Sequence, residues 1–294
     1  MVFSIMGSVN GQALFKMKDG CSLLILFKFN DSDLKLPMAI VTLLTDSGER
    51  DHYVASIRAK ILSVNPDLRI EDISHRIDEG DISRAAFVLR SVFRDFPKGT
   101  VHLIGVDAVA ASEEGYIAAA LEDHFFVGPD NGIFTLLSDK PVTNPVSLNT
   151  PVTIRSTFPE RDILAPAAAK LAGGVALADL GRLLPGPRRL TQRLLKVTPQ
   201  SILGYVLHID GQGNLITNIS REAFDQVCAG RSFSIRFGRE RADRIQTYYH
   251  QSEPGDCFAL FNSLNLLEVG IYRGNGSRLL GLGPDSPVNI LFEP

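Results

Sequence analysis

Two aspartates stand where a carboxylate can act on a ligand. Asp46 follows the apolar run 40–44, and Asp107 follows the run 101–106. Ligands of an open parallel sheet bind outside the carboxyl ends of its strands, so both carboxylates are expected at one rim. A carboxylate there can accept both vicinal hydroxyls of a ribose, or face a sulfonium or ammonium cation. Aspartate is also common in turns on structural grounds, so Asp46 equally reads as closing a turn and Asp107 as capping one. A second group lies in residues 204–219, GYVLHIDGQGNLITNI. A strand ends there in Asp210, a Gly-Gln-Gly-Asn turn follows, and a second strand starts at Leu215, which sets Asp210, Asn214 and Asn218 at the rim of a β element. An asparagine amide offers both a donor and an acceptor, which suits an adenine edge. Gly-Asn between two strands is also an ordinary hairpin turn. PDNG at 129–132 is a turn first and a site second. His75, His102 and His208 show no metal-ligand spacing and read as structural. Without clustered His, Cys and carboxylates, no catalytic metal is expected.

The elements that must position these groups change character along the chain. The run 40–44 is unbroken and apolar, as for a strand buried on both faces. A polar loop leads to a helix with Tyr53, Ile57, Ile61 and Val64 on one face, stopped by Pro66. Residues 68–73 read as a strand. Asp81 is a candidate N-cap for a helix carrying Ile82, Ala85, Ala86, Leu89 and Phe93, and 101–106 is a third strand. Strand, helix, strand, helix, strand predicts an α/β domain built on a Rossmann-like parallel sheet. Segments 116–121 and 124–127 form a hairpin around Glu122-Asp123, and the run 133–137 continues it. A helix is expected over 161–171 with Gly173 as its stop. From residue 201 short alternating segments recur at 204–208, 215–219, 232–237, 245–249, 257–261, 266–272 and 288–292, which predicts an all-β barrel. The expected organisation is an N-terminal extension or misassigned start at 1–37, an α/β domain at 38–182, a linker at 183–200 and a β-barrel domain at 201–294.

Composition narrows the function class. Across 294 residues, 45% are apolar and 21% charged, enough for a sizeable core. A formal net charge of −3 with no basic stripe argues against nucleic acid as a partner. The longest apolar run of the first 37 residues is far short of the roughly 20 residues needed to cross a bilayer, so no membrane partner is expected. Cys21, Cys228 and Cys257 lack metal or disulfide spacing, which suits a reducing, cytoplasmic setting.

Five segments together resemble one family: TDSGERDHYV (45–54), DISHRI (72–77), FPKGTVHLIGVD (96–107), PDNG (129–132) and the 204–219 stretch. The chain resembles the S-adenosyl-L-methionine hydrolases, or SAM hydroxide adenosyltransferases, which are related to fluorinase and chlorinase. The resemblance spans residues 38 to 292. It implies a homotrimer holding S-adenosylmethionine between one α/β domain and a neighbour's barrel, with no cofactor. It also implies hydrolysis to adenosine and methionine by attack of water or hydroxide on the ribose C5′. Position by position, it assigns Asp46 to the ribose, Asp51 and Asp210 to the methionine amino group, Asn214 to adenine, and Asn275 and Gly276 to a loop whose backbone meets adenine. Ser263, in FNSLNLLEVG, falls near the methionine carboxylate, and Asp107 belongs to an Asp, Arg and His set around the water.

The chain departs from the family pattern at that set. Where the family reads VDPGVG and then Arg, this chain reads VDAVAASEEGY, so the Arg position falls on Glu114. Where the family reads TFHGRD, this chain reads TFPERD, so the His position holds Pro159. Gly211, Gln212 and Leu264 also replace the residues of the family or its halogenases. The resulting expectations are a hydrolase with a substitute base drawn from Glu114, His124 or Glu160, or a non-catalytic relative that binds S-adenosylmethionine or adenosine. A trimer without a pocket and a halogenase are further alternatives.

Overall fold

The structure, a computed structural model, describes residues 4–9, 12–16, 39–110, 115–149 and 156–293. Residues 1–39 form a unit of their own, in which β1 (Ser4–Val9) and β2 (Gln12–Lys16) pair antiparallel. Met38, the expected start of the functional fold, lies outside the described residues.

The second unit begins at Ile40 and contains two sheets. Its first elements are β3 (Ile40–Thr45), α1 (Tyr53–Val64), β4 (Arg69–Ser74), α2 (Ile82–Val92) and β5 (Val101–Gly105). They are followed by β6 (Tyr116–Leu121), β7 (His124–Pro129), β8 (Thr143–Leu148), α3 (Ala165–Ala172) and β9 (Gly181–Leu183). The strand order is β4-β3-β5-β7-β6-β8-β9, with β4, β3, β5 and β7 parallel and the rest antiparallel. β3 and β5, apolar apart from Thr42, Thr45 and His102, lie buried with helices against them, as parallel strands require. Only Ile57 and Ile61 of the α1 stripe are buried, while Tyr53 and Val64 at its ends are exposed. Asp81 caps α2 as expected, its side chain accepting from the Arg84 N–H. Phe93, Phe126 and Phe134 fill the core between α2 and the sheet.

The remaining strands are β10 (Lys196–Thr198), β11 (Ser201–Ile209), β12 (Leu215–Ser220), β13 (Phe233–Phe237), β14 (Glu240–Ala242), β15 (Cys257–Phe261), β16 (Leu266–Ile271) and β17 (Pro287–Phe292), with α4 (Arg221–Cys228) and α5 (Gly276–Leu280) between them. All named pairs are antiparallel, in the order β14-β13-β17-β11-β12-β16-β15, and the two ends approach each other, so the barrel is nearly closed. Ile202, Leu215, Phe237, Val269 and Ile290 fill its interior. His208 of β11 stacks on Phe87 of α2 with ring centroids 4.6 Å apart, packing the barrel against the first sheet's helix.

Several local expectations need correction. The run 133–137 does not continue the hairpin. Gly132 adopts φ 97, and the Asn131 side chain accepts from the Ile133 N–H at 3.2 Å, which coils Ile133–Leu136 into a 3-10 turn. The segment 245–249 is not a strand, because Gln251 Oε1 draws the Thr247 and Tyr248 N–H groups at 2.7 and 3.0 Å away from a ladder. The helix expected from 161 begins with a π turn, Glu160–Leu164, before α3, which Gly173 ends as foreseen. The sequence reading did not include α4, although Ser220 caps it by accepting from the Ala223 N–H, and it did not include the five-residue α5.

The β6–β7 turn carries a pH-sensitive tie. Glu122 accepts from Arg94 at 2.6 and 3.0 Å and from the Ser138 hydroxyl at 2.5 Å. The Arg94 hydrogen bonds hold its carboxyl down at about 2, against a smaller opposing effect of burial. Because the folded value lies below the unfolded one, this contribution is complete above about pH 4.5 and is lost as pH falls through about 2. Glu122→Gln is therefore expected to lower urea-unfolding stability at pH 7 and to have a smaller effect near pH 3, where the contribution is already partly lost. An equal effect at both pH values would contradict the ion-pair account.

Candidate functional site

The carboxyl ends of β3 and β5 lie side by side, with Thr45 in register with Gly105, and the Asp46 N–H donates to the Gly105 carbonyl at 3.3 Å. The Asp46 side chain turns back over this edge. Its Oδ2 accepts from the Gly80 N–H at 3.1 Å and from the Asp107 N–H at 3.0 Å, pinning the loop before α2 to the loop after β5. Both bonds fall on Oδ2, which leaves Oδ1 as the oxygen that can turn to a ligand. Asp46 and Asp107 therefore do share one rim, as expected.

Asp107 has φ 55, in the left-handed region that aspartate tolerates better than most residues. The chain on either side of it is held in place. Val106 accepts from the Asn131 amide at 3.1 Å, and Ala108 accepts from the Tyr116 hydroxyl at 3.0 Å. PDNG is thus a turn that also fixes the end of β5. Burial pushes the Asp107 carboxyl up from the ordinary aspartate range, and the nearby charges of Asp46 and Glu79 add to the effect. Asp51 is exposed and lines an open cleft of about 490 Å³ with Ser47, Gly48, Glu49, Arg50 and Arg76. Glu114 lies outside the described residues.

Pro159 stands immediately before the π turn, and Glu160 opens that turn from the interior. Glu160 is 6% exposed, and its Oε2 has no hydrogen-bond partner among the described residues. Its stem lies on Gly105, where an added Cβ would come within 2.7 Å of Glu160 Cγ. His124, named beside Glu160 as a substitute base, is at the wrong end of the sheet. It opens β7 and lies within hydrogen-bond reach of His102 near the start of β5, at 3.2 Å, under the Phe93 ring. Five strand residues at about 3.3 Å each separate His102 from Asp107, roughly 16 Å. Burial holds the His102 ring down at about 3, so it is a neutral core group. His75, bonded to Thr45 Oγ1 at 2.8 Å, is likewise buried.

A second cluster sits at the barrel's β11–β12 turn. Asp210 Oδ1 accepts from the Gln212 and Asn214 N–H groups at 2.9 and 2.8 Å, and its Oδ2 accepts from the Asn214 amide at 3.1 Å. Gly213, at φ 87, has no room for a side chain, since a Cβ would lie 2.4 Å from Asn275 Cγ. The Ser277 N–H donates to the Gly213 carbonyl at 2.8 Å, and Gly276 packs close against Gly270 and Gly213. Asn275 is the N-cap of α5, accepting from the Arg278 N–H at 2.9 Å. Asp210, Asn214 and Asn275 share an open cleft of about 650 Å³ with Tyr249, Phe258 and Tyr272.

Sequence reading missed the support beneath this cleft. Glu268 is 2% exposed and accepts from the Tyr249 hydroxyl at 3.0 Å and from the Asn262 amide at 3.1 Å. Burial, then the Glu268 charge, pushes the Tyr249 hydroxyl up to about 12, so it stays a donor at neutral pH. A charged residue inside the apolar run 266–271 was the available signal. One expectation shifts. Asn218 is a brace and not a rim group, for its Oδ1 accepts from the Tyr205 N–H at 2.8 Å and its amide donates to the Arg193 carbonyl at 3.1 Å. Ser263 is exposed on the turn between β15 and β16, beside Asn262. Among the described residues, no group of His, Cys, Asp and Glu is arranged to hold a metal, and no helix is long and apolar enough to cross a membrane.

Known proteins match both sheets. The description "SAM hydroxide adenosyltransferase N-terminal domain" matches residues 41–181, and "SAM hydroxide adenosyltransferase C-terminal domain" matches 204–289. An (R)-S-adenosyl-L-methionine hydrolase of Thermus thermophilus is 32% identical over 266 residues, covering 86% of this chain and 100% of its own. A hydrolase of the same name from Salinispora tropica is 30% identical, covering 86% and 98%. A fluorinase of Nocardia brasiliensis is 26% identical, covering 67% and 76%. Among solved structures, an uncharacterized conserved protein from Thermotoga maritima superposes with a TM-score of 0.78 at 28% identity, covering 86% of this chain and 99% of its own.

Proposed function

Because the chain belongs to the SAM hydroxide adenosyltransferase family, we propose that it hydrolyses S-adenosyl-L-methionine to adenosine and L-methionine. Water or hydroxide attacks the ribose C5′ in line with the C5′–S bond, and methionine leaves from the sulfonium. The leaving group is already good, so the protein's main tasks are orientation and supply of the nucleophile. The observation that carries this reading is the joint seating of Asp46 and Asp107. Asp46 Oδ2 fixes both flanking loops, which leaves Oδ1 for the ribose hydroxyls and holds Asp107 beside the same rim. The raised Asp107 carboxyl is a better acceptor for a water O–H than an ordinary aspartate, and its role is to aim that water.

Asp210, Asn214, Asn275 and Gly276 take the adenine side of the ligand together with the methionine amino group, which Asp51 also faces. Ser263 takes the methionine carboxylate. No cofactor enters this scheme. The clefts that hold Asp51 and Asn214 share no lining residue, which supports a site completed between subunits, one subunit's rim meeting a neighbour's barrel as in the homotrimer that the resemblance implies. The unpaired state of Cys228 and Cys257 suits a cytoplasmic setting.

A second reading has its own observation: Pro159 occupies the family's histidine position and cannot exchange a proton. On that reading the chain binds S-adenosylmethionine or adenosine without turning it over. Incubation with S-adenosylmethionine in chloride-containing buffer, with every adenosyl product separated by chromatography, distinguishes the two. Adenosine and methionine above a heat-killed control are expected. Thermal stabilisation by the ligand with no product would favour the binder.

A further inference from the structure

We propose that Glu160 is the proton acceptor for the attacking water, standing in for the side chain that Pro159 cannot supply. This rests on the hydrolase reading and names a residue of the same site. Three observations place it there. Glu160 lies on Gly105, the residue whose carbonyl receives the Asp46 N–H and which precedes Asp107 by two positions. Its charge acts on the Tyr116 hydroxyl, which itself anchors Ala108, the residue after Asp107. Its Oε2 is shielded from solvent and unpartnered among the described residues. Leaving a buried acceptor without a donor is costly, so a fold that keeps one has a use for it. On this proposal the missing donor is the attacking water.

In the step, the water oxygen forms its bond to C5′ while its proton passes to Glu160 Oε2. The C5′–S bond breaks, and its electron pair stays on the methionine sulfur, which becomes a neutral thioether. Charge balances, since the carboxylate and the sulfonium are both neutralised.

The acceptor is suited to neutral pH. Burial pushes the Glu160 carboxyl up to about 7, with its own backbone N–H opposing and Asp46 adding to the rise. The groups facing this turn are Asp46 from the β3 loop and Tyr116 from β6. On the turn itself Arg161 pairs with Asp162 at 2.7 Å, and Lys60 of α1 acts on that Asp162. A base must be deprotonated to act, so kcat/KM should rise with pH through about 7. The bound sulfonium favours the carboxylate, so the matching limb of kcat should lie at lower pH.

The test is the pH profile of adenosine formation by the native chain, Glu160→Gln and Glu160→Asp, with melting temperatures and adenosine affinity measured alongside. We expect the isosteric Glu160→Gln to lose about 10²–10⁴-fold in kcat and to lose the limb near pH 7. It should keep its melting temperature and adenosine affinity, and Glu160→Asp should recover part of the rate with a displaced limb. Native rate and an unchanged limb in Glu160→Gln would overturn the assignment while leaving the hydrolase reading intact. Absence of turnover in all three chains, each still binding adenosine, would overturn both.

Discussion

Asp107→Asn is expected to lower adenosine-forming turnover by roughly 10²–10⁴-fold while leaving the fold unchanged. Asparagine is the informative substitution because residue 107 sits at φ 55, which asparagine accepts readily and alanine does not. It also keeps the backbone N–H that donates to Asp46 Oδ2. What it removes is the negative charge that burial and two neighbouring acids have made a strong acceptor. Losses in kcat with little change in KM would mark an interaction made mainly in the transition state. Unaltered turnover would remove Asp107 from the reaction.

The second large effect concerns Asp46, whose two roles can be separated. Asp46→Ala strands the Gly80 and Asp107 N–H groups together. Each loses a charged acceptor, a loss of about 3 kcal/mol in all, or roughly 6–12 °C in melting temperature for a domain of this size. Asp46→Asn keeps an oxygen for both donors and is expected to melt within a few degrees of the native chain, on the order of 1 kcal/mol. It loses the charge that would accept two ribose hydroxyls, so adenosine affinity should fall about 10–100-fold. If Asp46→Asn bound adenosine normally, Asp46 would be a loop brace alone. Calorimetric melting and adenosine titration of the two variants decide the matter.

Much of the arrangement could be read from residue order because it depends on local chemistry. The runs 40–44 and 101–106 fixed two neighbouring parallel strands, and their carboxyl ends brought Asp46 and Asp107 together without any knowledge of loops. Asp81 starts α2 through its side chain, and α3 stops at Gly173 as expected, although the left-handed backbone there belongs to the next residue, Gly174. Other features rest on contacts between residues distant in sequence. The segment 245–249 alternates like a strand, and only the Gln251 side chain diverts it. Ser263 matches a family position, yet its neighbour Asn262 is the residue that reaches Glu268. His124 and Glu160 were equal candidates in the sequence, and strand direction separates them by sending His124 to the far end of β7. The charge of Glu160 could be read from its position in TFPERD, but its burial on Gly105 could not, since that depends on a glycine 55 positions earlier in the chain.

The most direct measurement is the reaction of S-adenosylmethionine in water enriched in oxygen-18, with adenosine and methionine analysed by mass spectrometry. Displacement at C5′ by water predicts adenosine carrying one heavy oxygen at its 5′ hydroxyl and methionine carrying none. Unlabelled adenosine would contradict attack by water at C5′. No adenosine above the heat-killed control would contradict catalysis itself.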